Sequence, residues 1–534
     1  MAYVIGVDVG TGSARAGVFD LNGAMLASAK RDITLFQQAG GIVEQSSNEI
    51  WAAVCASVRE AMAAAAIPAD QVTGIGFDAT CSLVVLGADG APLPVGPTDE
   101  PERNIIVWMD HRAVDQANRI NATGHAVLQY VGGRISPEME TPKLLWLREH
   151  KPAVFDQAWQ FMDLTDFLTW RASGDLARST CTVTCKWTYL THEDRWDASY
   201  FNAIGLGVLA DEGFSRIGQR VVAPGTALGQ GLTAQAALEL GLVAGTAVGT
   251  GIIDAHAGGL GTVGVDNDPY TALAYIFGTS SCTMTTTREP AFVPGVWGPY
   301  FSAMVPGTWL NEGGQSAAGV AIDQLLAMHP LSVEARRLAH DQGMPLQAML
   351  AQMIGSQSAT LSDSIRLAKG LHVVPEFLGN RAPLADPHAR AVIAGVGMDN
   401  DMASLLALYI AGLCGIAYGL RQIIAAQDAA GAHIARIMIS GGAGRPDLVR
   451  QLLADATGKP VFASNADEPV LLGAAILGSV AGGAYADVGA AMAGMSRVGR
   501  RFDPAGGAIG AVHDARFAAF ATLQRVATEL RAAN

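Results

Sequence analysis

Two glycine-rich loops, each between two apolar runs, constrain the fold of this chain more than any other feature. The first is residues 8–15, DVGTGSAR, with the apolar runs 3–7 and 16–19 on either side. Two β-prone runs around such a loop predict a β-hairpin. Its glycines let the backbone approach a ligand closely, and successive N–H groups can hold a phosphate. The loop is therefore typical of a phosphate site, with an ordinary tight turn as the alternative.

The same pattern recurs in the second half of the chain. Residues 271–287 read TALAYIFGTSSCTMTTT, so an apolar run again ends in Gly-Thr-Ser and continues as a strand-prone stretch. One such hairpin near the start of each half predicts two similar halves that hold one nucleotide between them. A chain of 534 residues also exceeds the size of a single core. The polar segment 265–269 predicts the boundary, which gives an N-terminal domain of residues 1–266 and a C-terminal domain of residues 267–534.

Composition limits the class of protein. Hydrophobic residues make up 50% of the chain and charged residues 16%, which is typical of a well-packed globular enzyme of mixed α/β structure. The net charge of −14 argues against a nucleic-acid partner and against attraction to a membrane surface. The first residues lack the pattern of a signal peptide. The six cysteines favour free thiols, because Cys181 and Cys185 lack the spacing of a zinc or redox motif. We therefore expect a cytoplasmic protein.

The first half of the chain alternates strand and helix patterns. Ser46 and Glu49 form a capping box before a helical pattern that ends near Pro68. Residues 72–77 then have the pattern of a buried strand, which ends in the polar stretch DATCS at 78–82. Polar residues at strand ends are typical of α/β domains that bind ligands at the edge of a sheet.

Three stretches of the N-terminal half carry candidate site residues. Residues 105–112, IIVWMDHR, place Asp110 and His111 beside a tryptophan, which is typical of a sugar site but equally of a solvated turn. Lys186 is the single charge of an apolar, β-prone run, CTVTCKWTYL, and a surface lysine with a buried stem is the alternative. Asp254 follows two isoleucines and precedes a run of small residues that predicts a close-packed helix. A carboxylate at such a junction is a candidate general base, and a helix cap is the alternative.

The C-terminal half carries candidates for nucleotide contacts. Glu312 precedes two glycines and a helix whose small residues either admit an adenine or ribose or pack against another helix. Residues 434–446 predict a strand that opens into a glycine-rich turn at 440–444, which is a weak signal for a nucleotide contact. Residues 468–481 predict a buried helix. Residues 379–397 form a long polar loop to which the pattern assigns no role.

With these motifs in place, the chain resembles the FGGY family of carbohydrate kinases over nearly its whole length. The matching stretches are DVGTGSAR at 8–15, WMDHRA at 108–113, KLLWL at 143–147, IIDAHAG at 252–258, FGTSS at 277–281, EGGQSAAG at 312–319 and SGGAG at 440–444. Their common order and spacing are more specific than any one of them. The stretches DATCS, ISPEMETPKLLWL and CKWTYL are most similar to the ribulokinase branch, in particular to D-ribulose kinases. The resemblance implies an α/β, two-domain actin-like or ribonuclease-H-like ATPase fold with a catalytic cleft between the domains.

The resemblance also implies roles for the matching residues. Asp254 would be the catalytic base, and Asp8 would bind Mg²⁺. The residues expected to bind ATP are Gly10, Thr11, Ser13 and Arg15 in the first loop, Gly278, Thr279 and Ser280 in the second, and Gly319, Gly441, Gly442 and Ala443 at the adenosine. The residues expected to face the ketose are Cys81, Asp110, His111, Lys186, Asp254 and Glu312. The expected partners are therefore ATP, Mg²⁺ and a small sugar, and a homodimer is a candidate assembly.

Two positions depart from the family pattern. Glu140 stands where a small or hydroxyl residue is usual, and no acidic or amide residue falls at the position, near Ser404-Leu405, where the family pattern expects one. These departures bear on the choice of sugar, so D-ribulose stands beside L-ribulose, xylulose and ribitol. A non-phosphorylating actin-like ATPase is the alternative from another class. It would share the phosphate loops but would not need Lys186, Glu312 and Asp110, whose joint presence favours the kinase.

Overall fold

The computed structural model describes residues 2–263 and 268–533. The predicted domain boundary, between residues 266 and 267, lies outside the described residues, so the division into 1–266 and 267–534 stays a prediction. What the structure does describe is one principal sheet in each half of the chain.

The strands and helices follow one another along both halves. In the N-terminal half the strands are β1 Tyr3–Val9, β2 Ser13–Asp20, β3 Met25–Asp32, β4 Phe36–Gln38, β5 Ile42–Gln45, β6 Val72–Ala79, β7 Leu83–Leu86, β8 Ile105–Ile106, β9 Gln160–Asp163, β10 Arg178–Ser179, β11 Val221–Val222, β12 Ala247–Val248 and β13 Ile252–Ile253. The helices there are α1 Ser47–Ala65, α2 Val114–Ala122, α3 Glu140–His150, α4 Pro152–Gln157, α5 Leu164–Ser173, α6 Thr180–Trp187, α7 Ala198–Ala203, α8 Gly207–Asp211, α9 Ala234–Leu240 and α10 Asp254–Val263. In the C-terminal half the strands are β14 Ala272–Phe277, β15 Ser281–Thr287, β16 Trp297–Phe301, β17 Trp309–Gln315, β18 His372–Val374, β19 Val392–Ala394, β20 Arg436–Ser440, β21 Val461–Ser464 and β22 Val498–Phe502. The helices there are α11 Gly319–Met328, α12 Ser332–Asp341, α13 Leu346–Gln357, α14 Met402–Ala429, α15 Asp447–Thr457, α16 Pro469–Ala481, α17 Val488–Met495 and α18 Gly507–Ala532.

The principal sheet of the N-terminal half confirms the first predicted hairpin. Its strand order is β12-β6-β1-β2-β3, and β13 also pairs with β6. Strand β1 is antiparallel to β2 and parallel to β6. The helix α1 that covers this sheet has the predicted cap, since the Ser46 side chain accepts a hydrogen bond from the Glu49 N–H.

The principal sheet of the C-terminal half repeats this topology. Its order is β16-β17-β15-β14-β20-β21-β22. The five central strands, from β17 to β21, have the order and directions of the five N-terminal strands, with two antiparallel pairings followed by two parallel ones. The prediction of two similar halves with one hairpin loop each is therefore confirmed.

Two helices cross between the halves. Helix α10 follows the last N-terminal strand but packs on β14, whereas α16 from the C-terminal half packs on β1 and β6. The approach is so close that a Cβ atom at Gly6 would lie 2.0 Å from the Leu471 carbonyl oxygen, and one at Gly473 would lie 2.0 Å from the Ala257 carbonyl oxygen. Glycine is required at such positions because any side chain would overlap with backbone. The packing of α10 and α16 on opposite halves holds the end of β13, where Asp254 lies, against the C-terminal half.

Helix α14 is a feature that the sequence reasoning did not single out. By length and composition its 28 residues could cross a membrane, but 89% of its most apolar window is buried inside the protein. It packs against α11 and α15 in the C-terminal core.

The interpretation of residues 181–190 as a β-prone run was wrong. Residues 180–187 form helix α6, which begins where the Ser179 side chain accepts a hydrogen bond from the Cys181 N–H. Every residue of this helix is buried. Packing therefore overrides the strand preference of its threonines and valine.

Candidate active site

A row of charged side chains crosses the N-terminal sheet at the mouth of the first hairpin. The strand register pairs Asp8 with Arg15 on one side and with Asp78 on the other. Neighbouring strands lie about 4.8 Å apart, so paired residues present their side chains together on one face. Arg15 forms an ion pair with Asp8 and donates a hydrogen bond to Glu468, 2.8 Å away, in the C-terminal half. The first phosphate loop is thereby connected to both halves.

Asp78 is a buried carboxyl without a donor. It is fully buried, and neither of its oxygens meets a hydrogen-bond donor among the described residues. Burial raises its pKa well above the usual range, and the neighbouring charges of Asp8 and Asp254 raise it further. Two facing carboxyls repel each other when both are charged, so Asp78 keeps its proton more readily than an ordinary aspartate does. Unsatisfied carboxylate oxygens are the ligands that Mg²⁺ prefers, and the residues fit such an ion.

Asp254 stands beside this pair. It is the first residue of α10, directly after β13, which pairs with β6 at Asp78. Burial raises its pKa to about 6, and the charge of Asp8 contributes. One Asp254 oxygen accepts the N–H of the next residue, Ala255, at 2.7 Å, and the other has no hydrogen bond among the described residues. A carboxylate with a free oxygen and a pKa near neutrality is suited to the role of a general base.

The first loop is braced by the second N-terminal sheet, β4-β5-β8-β7-β9. The Gly10 N–H donates to the Ser13 carbonyl at 3.0 Å and closes the turn. Trp108 Nε1 donates to the Thr11 hydroxyl at 3.0 Å, and Gln45 donates to the Thr11 carbonyl at 2.8 Å. The tryptophan of the WMDHR stretch therefore positions the loop through its indole N–H.

The second loop meets the predicted adenosine residues. The carbonyls of Gly278 and Thr279 accept hydrogen bonds from the start of α11, including the Gly319 N–H at 3.0 Å. A Cβ atom on Gly319 would lie 2.6 Å from the Gly278 carbonyl and 3.3 Å from the Ala443 Cβ. Gly441 has a φ of +89° and lies against Phe277, just before the loop. The structure thus brings Gly278, Thr279, Ser280, Gly319, Gly441, Gly442 and Ala443 to one place.

A buried chain of polar groups connects the two halves next to Asp254. His256 Nε2 lies 3.3 Å from a Glu312 oxygen, and His256 Nδ1 lies 3.0 Å from Cys181 Sγ. Burial lowers the pKa of His256, but Cys181 and Glu312 outweigh it and raise the value to about 10. Burial likewise raises the pKa of Glu312, but the hydrogen bond from His256 and the charge of Lys186 lower it to about 2. Glu312 is therefore a charged acceptor at neutral pH.

The predicted ketose residues Lys186 and Cys81 lie at the same place. Lys186 is 8% exposed, and its Nζ lies 5.5 Å from the centre of the Trp297 ring. Burial raises the pKa of the Cys81 thiol, so it is neutral beside the Lys186 charge. Tyr300 is fully buried, and its hydroxyl has no partner among the described residues. An aromatic face beside a lysine and a carboxylate suits a polyhydroxy ligand.

Asp110 is held by groups of the protein itself. It is fully buried, its oxygens accept the Val43 and Arg112 N–H groups, and it forms an ion pair with the Arg112 guanidinium at 2.8 Å. Glu44 is a second partner of Arg112 at 2.8 Å. With these acceptor positions used inside the protein, Asp110 holds the strand ends together, and its contact with a ketose stays a prediction. His111 is half-exposed, 3.7 Å from Glu138.

One group of side chains has the ligand types of a metal site. The potential ligand atoms of Cys181, Cys185 and His256 lie within 4.8 Å of one another, and all three residues are buried. Soft metals favour such sulfur and nitrogen sets. Here both nitrogens of His256 already have protein partners, so hydrogen bonds account for the cluster. All six cysteines are free, as expected.

Comparison with known proteins decides the family. The model of the N-terminal domain of FGGY carbohydrate kinases matches residues 3–261, and that of the C-terminal domain matches residues 273–482. The chain belongs to the FGGY family of carbohydrate kinases. It is a sugar kinase that uses ATP as phosphate donor, with a two-domain α/β fold.

Relatives of this FGGY kinase cover nearly all of the chain. An FGGY carbohydrate kinase domain-containing protein from Homo sapiens is 47% identical, over 93% of this chain and 92% of the relative. A D-ribulokinase from Saccharomyces cerevisiae is 38% identical, over 90% of this chain and 72% of the relative. Among solved structures, a xylulose kinase from Rhodospirillum rubrum has a TM-score of 0.82 at 23% identity, with 99% of both chains covered. That likeness shows the fold.

The sequence reasoning missed several residues of the site in this FGGY kinase. The missed residues are Asp78, Glu138, His256, Trp297, Tyr300 and Arg381. Asp78 stands in the quoted DATCS stretch at a strand end, and the pairing with Asp8 became visible only with the register. His256 and Glu138 likewise stand in the quoted stretches IIDAHAG and ISPEMETPKLLWL, whereas Trp297, Tyr300 and Arg381 come from elements that no local pattern connects to the site.

Proposed function

We propose that this FGGY kinase phosphorylates a pentulose, D-ribulose, and releases D-ribulose 5-phosphate and ADP. The observation that carries the proposal is the position of Asp254. It lies beside the Asp8–Asp78 pair on one side, and it is within the electrostatic influence of Lys186 on the other. The choice of D-ribulose is supported by the D-ribulokinase relative at 38% identity and by the resemblance of the CKWTYL stretch around Lys186 to D-ribulose kinases.

Asp254 is the general base of the proposed reaction. Its free carboxylate oxygen accepts the proton of the C5 hydroxyl while the hydroxyl oxygen attacks the γ-phosphorus. The new bond joins O5 to phosphorus, and the bond between the γ-phosphorus and the bridging oxygen of ADP breaks. Phosphoryl transfer needs little covalent chemistry from the protein, so positioning and charge stabilisation dominate.

Asp8 and Asp78 would hold Mg²⁺, which would neutralise charge on the phosphates of bound ATP. The structural support is the pair of donor-free oxygens on Asp78 next to the carboxylate of Asp8. Arg15 would balance the remaining charge, because it already bridges Asp8 and Glu468. Without the ion, the neighbouring carboxyls of Asp8, Asp78 and Asp254 would repel one another.

The two hairpin loops would bind the phosphates from opposite sides, and the adenosine would lie against the second half. Gly442 supports this orientation, because a Cβ atom there would meet nothing within 4 Å, so the turn is open on that side. Lys186 and Glu312 would then bind ketose oxygens. A buried site of this kind penalises a sugar that leaves its charged groups unpaired.

The test is a panel of pentuloses and pentitols with ATP, measured by ADP release. We expect the highest kcat/KM for D-ribulose among D-ribulose, L-ribulose, xylulose and ribitol. Lys186→Met should raise the ketose KM much more than the ATP KM. Lys30→Met is the matched control, since Lys30 is exposed and pairs with the exposed Asp32. Faster turnover of xylulose or glycerol than of D-ribulose would overturn the choice of substrate.

A further inference from the structure

Arg381 reaches the sugar site from a loop to which the sequence assigned no role. It lies between β18 and β19 in the C-terminal half. The loop is held by paired backbone hydrogen bonds between Asn380 and Asp386 and by the ion pair of Asp386 with Arg531. Asn380 also donates to Glu376 at 2.6 Å. The backbone that carries Arg381 is therefore fixed from both sides.

The guanidinium of Arg381 lies among the residues proposed to bind the ketose. Its Cζ is 5.7 Å from the centre of the Trp297 ring, and Lys186 Nζ is 5.5 Å from the same ring. Its Nη1 is 3.9 Å from Cys282 Sγ. Its charge also acts on Glu138 and Glu312, the two carboxylates of the site. One cation thus comes from each half of the chain, and both lie near one aromatic ring.

The guanidinium has more donors than the protein uses. Arg381 is half-buried, and among the described residues no carboxylate lies within ion-pair distance of it; the weak contact with Cys282 is its only side-chain hydrogen bond. Arg112, by contrast, is paired with Asp110 and Glu44. A guanidinium carries five N–H donors in a fixed plane and no acceptor. Donors left open beside a sugar site call for acceptor oxygens from a ligand.

We propose that Arg381 forms a further sugar subsite, in which its guanidinium donates hydrogen bonds to oxygens of the bound ketose beside the Trp297 ring. The ligand class is a polyhydroxy ketone, whose carbonyl oxygen accepts and whose hydroxyls can also donate to Glu138 and Glu312. The subsite rests on the proposed sugar-kinase site and extends it, because the sugar would contact both halves at once through Lys186 and Arg381. Binding of the ketose would therefore hold the two halves together.

The test compares Arg381→Met and Arg381→Lys with Arg390→Met. Arg390 is the matched control, because it lies in the same loop, is exposed, and donates to the backbone carbonyls of Pro387 and Ala389. A hydrogen bond from a charged donor in a desolvated site predicts a ketose KM raised about 10- to 100-fold in Arg381→Met. The ATP KM and the melting temperature should stay near wild type, and Arg381→Lys should recover part of the loss because it keeps the charge.

The sugar used in this comparison is the one that the wild type phosphorylates best in the panel, so a wrong choice of D-ribulose does not affect the result. Equilibrium binding of the ketose in the absence of ATP gives a second measurement and should weaken by the same factor. An unchanged ketose KM and affinity in folded Arg381→Met would overturn the subsite. A raised KM for ATP with an unchanged ketose KM would also overturn it and would assign Arg381 to the phosphates.

Discussion

The buried pair of His256 and Glu312 offers the sharpest test of how the site is held together. Substitution His256→Gln removes the charged partner of a carboxylate that is 7% exposed, 3.3 Å away across the interface between the halves. The pKa of Glu312 falls from an ordinary 4.5 to about 2, although burial alone would raise it. That change corresponds to about 3 kcal/mol, which is an upper limit for the contribution of His256 because Lys186 and Arg381 also lower the pKa of Glu312. Removing one partner of a buried ion pair typically costs a similar amount.

The pH dependence has a definite sign. The lowered pKa of Glu312 adds stability that is present above its ordinary value of 4.5 and is lost as the pH falls through about 2. The raised pKa of His256 adds stability that is present below its ordinary value of 6.5 and is lost as the pH rises through about 10. The difference in unfolding free energy between wild type and His256→Gln should therefore be largest between pH 4.5 and pH 6.5.

The assay is urea unfolding near pH 6, followed by tryptophan fluorescence and by circular dichroism, whose coincidence justifies a two-state treatment. The variants are His256→Gln, Glu312→Gln and the double variant, which together form a double-mutant cycle. The control is His513→Gln. His513 is also buried, but burial lowers its pKa to about 4, so it is neutral and makes one hydrogen bond with Tyr418 at 3.0 Å. Its loss should cost only about 1 kcal/mol.

The kinetic expectation follows from the same geometry. Without His256, the Glu312 carboxylate is free to take a proton or change its orientation, so the ketose KM should rise while the ATP KM changes little. His513→Gln should leave both constants unchanged. A coupling energy below about 0.5 kcal/mol between His256 and Glu312 would refute the reasoning, because the cycle isolates their interaction.

Three further predictions concern the phosphate side of the site. Asp254→Asn should lower kcat by about 10²- to 10⁴-fold with little change in melting temperature, as measured by ADP release and thermal unfolding. In the wild type, kcat/KM should fall as the pH drops through about 6, because burial raises the pKa of Asp254 to that value. Asp78→Asn should raise the Mg²⁺ concentration for half-maximal activity and make the metal-free protein more stable, because it removes a buried acid that repels its neighbours; an unchanged Mg²⁺ requirement would contradict its proposed role. Thr11→Trp and Thr279→Trp should each raise the ATP KM, and normal ATP kinetics in either folded variant would contradict a nucleotide held by both loops.

Much of the fold was predictable from local sequence patterns. The two hairpins were predictable because glycines and hydroxyls between apolar runs define a turn within a few residues. Helix α1 was predictable from its capping box, and α16 from the proline at its first position, both of which are local features. Helix α6 was not, because its threonines favour strands and only burial of every side chain makes it helical.

The site was predictable only where a motif is contiguous. Asp254, Lys186 and Glu312 were found because each stands in a recognisable stretch. Asp110 was assigned to the sugar for the same reason and proved to be buried against Arg112. Arg381 was missed because its loop is remote from Trp297 in sequence. The composition of a polar loop does not indicate which part of the fold the loop contacts.

The two similar halves differ at one pair of facing residues on neighbouring strands. In the N-terminal sheet the register pairs Asp8 with Asp78, and in the C-terminal sheet the corresponding pair is Ile276 with Ser440. The scaffold and the loops are shared, but the carboxylates are present on one side only. In the proposed site, a single nucleotide would therefore meet two unlike sides, with acidic groups suited to a cation on the N-terminal side. The glycine-lined turn that starts at Gly441 lies on the other side. This asymmetry would orient the nucleotide with its reacting phosphate toward Asp254, and a symmetric repeat in the sequence could not have specified that direction.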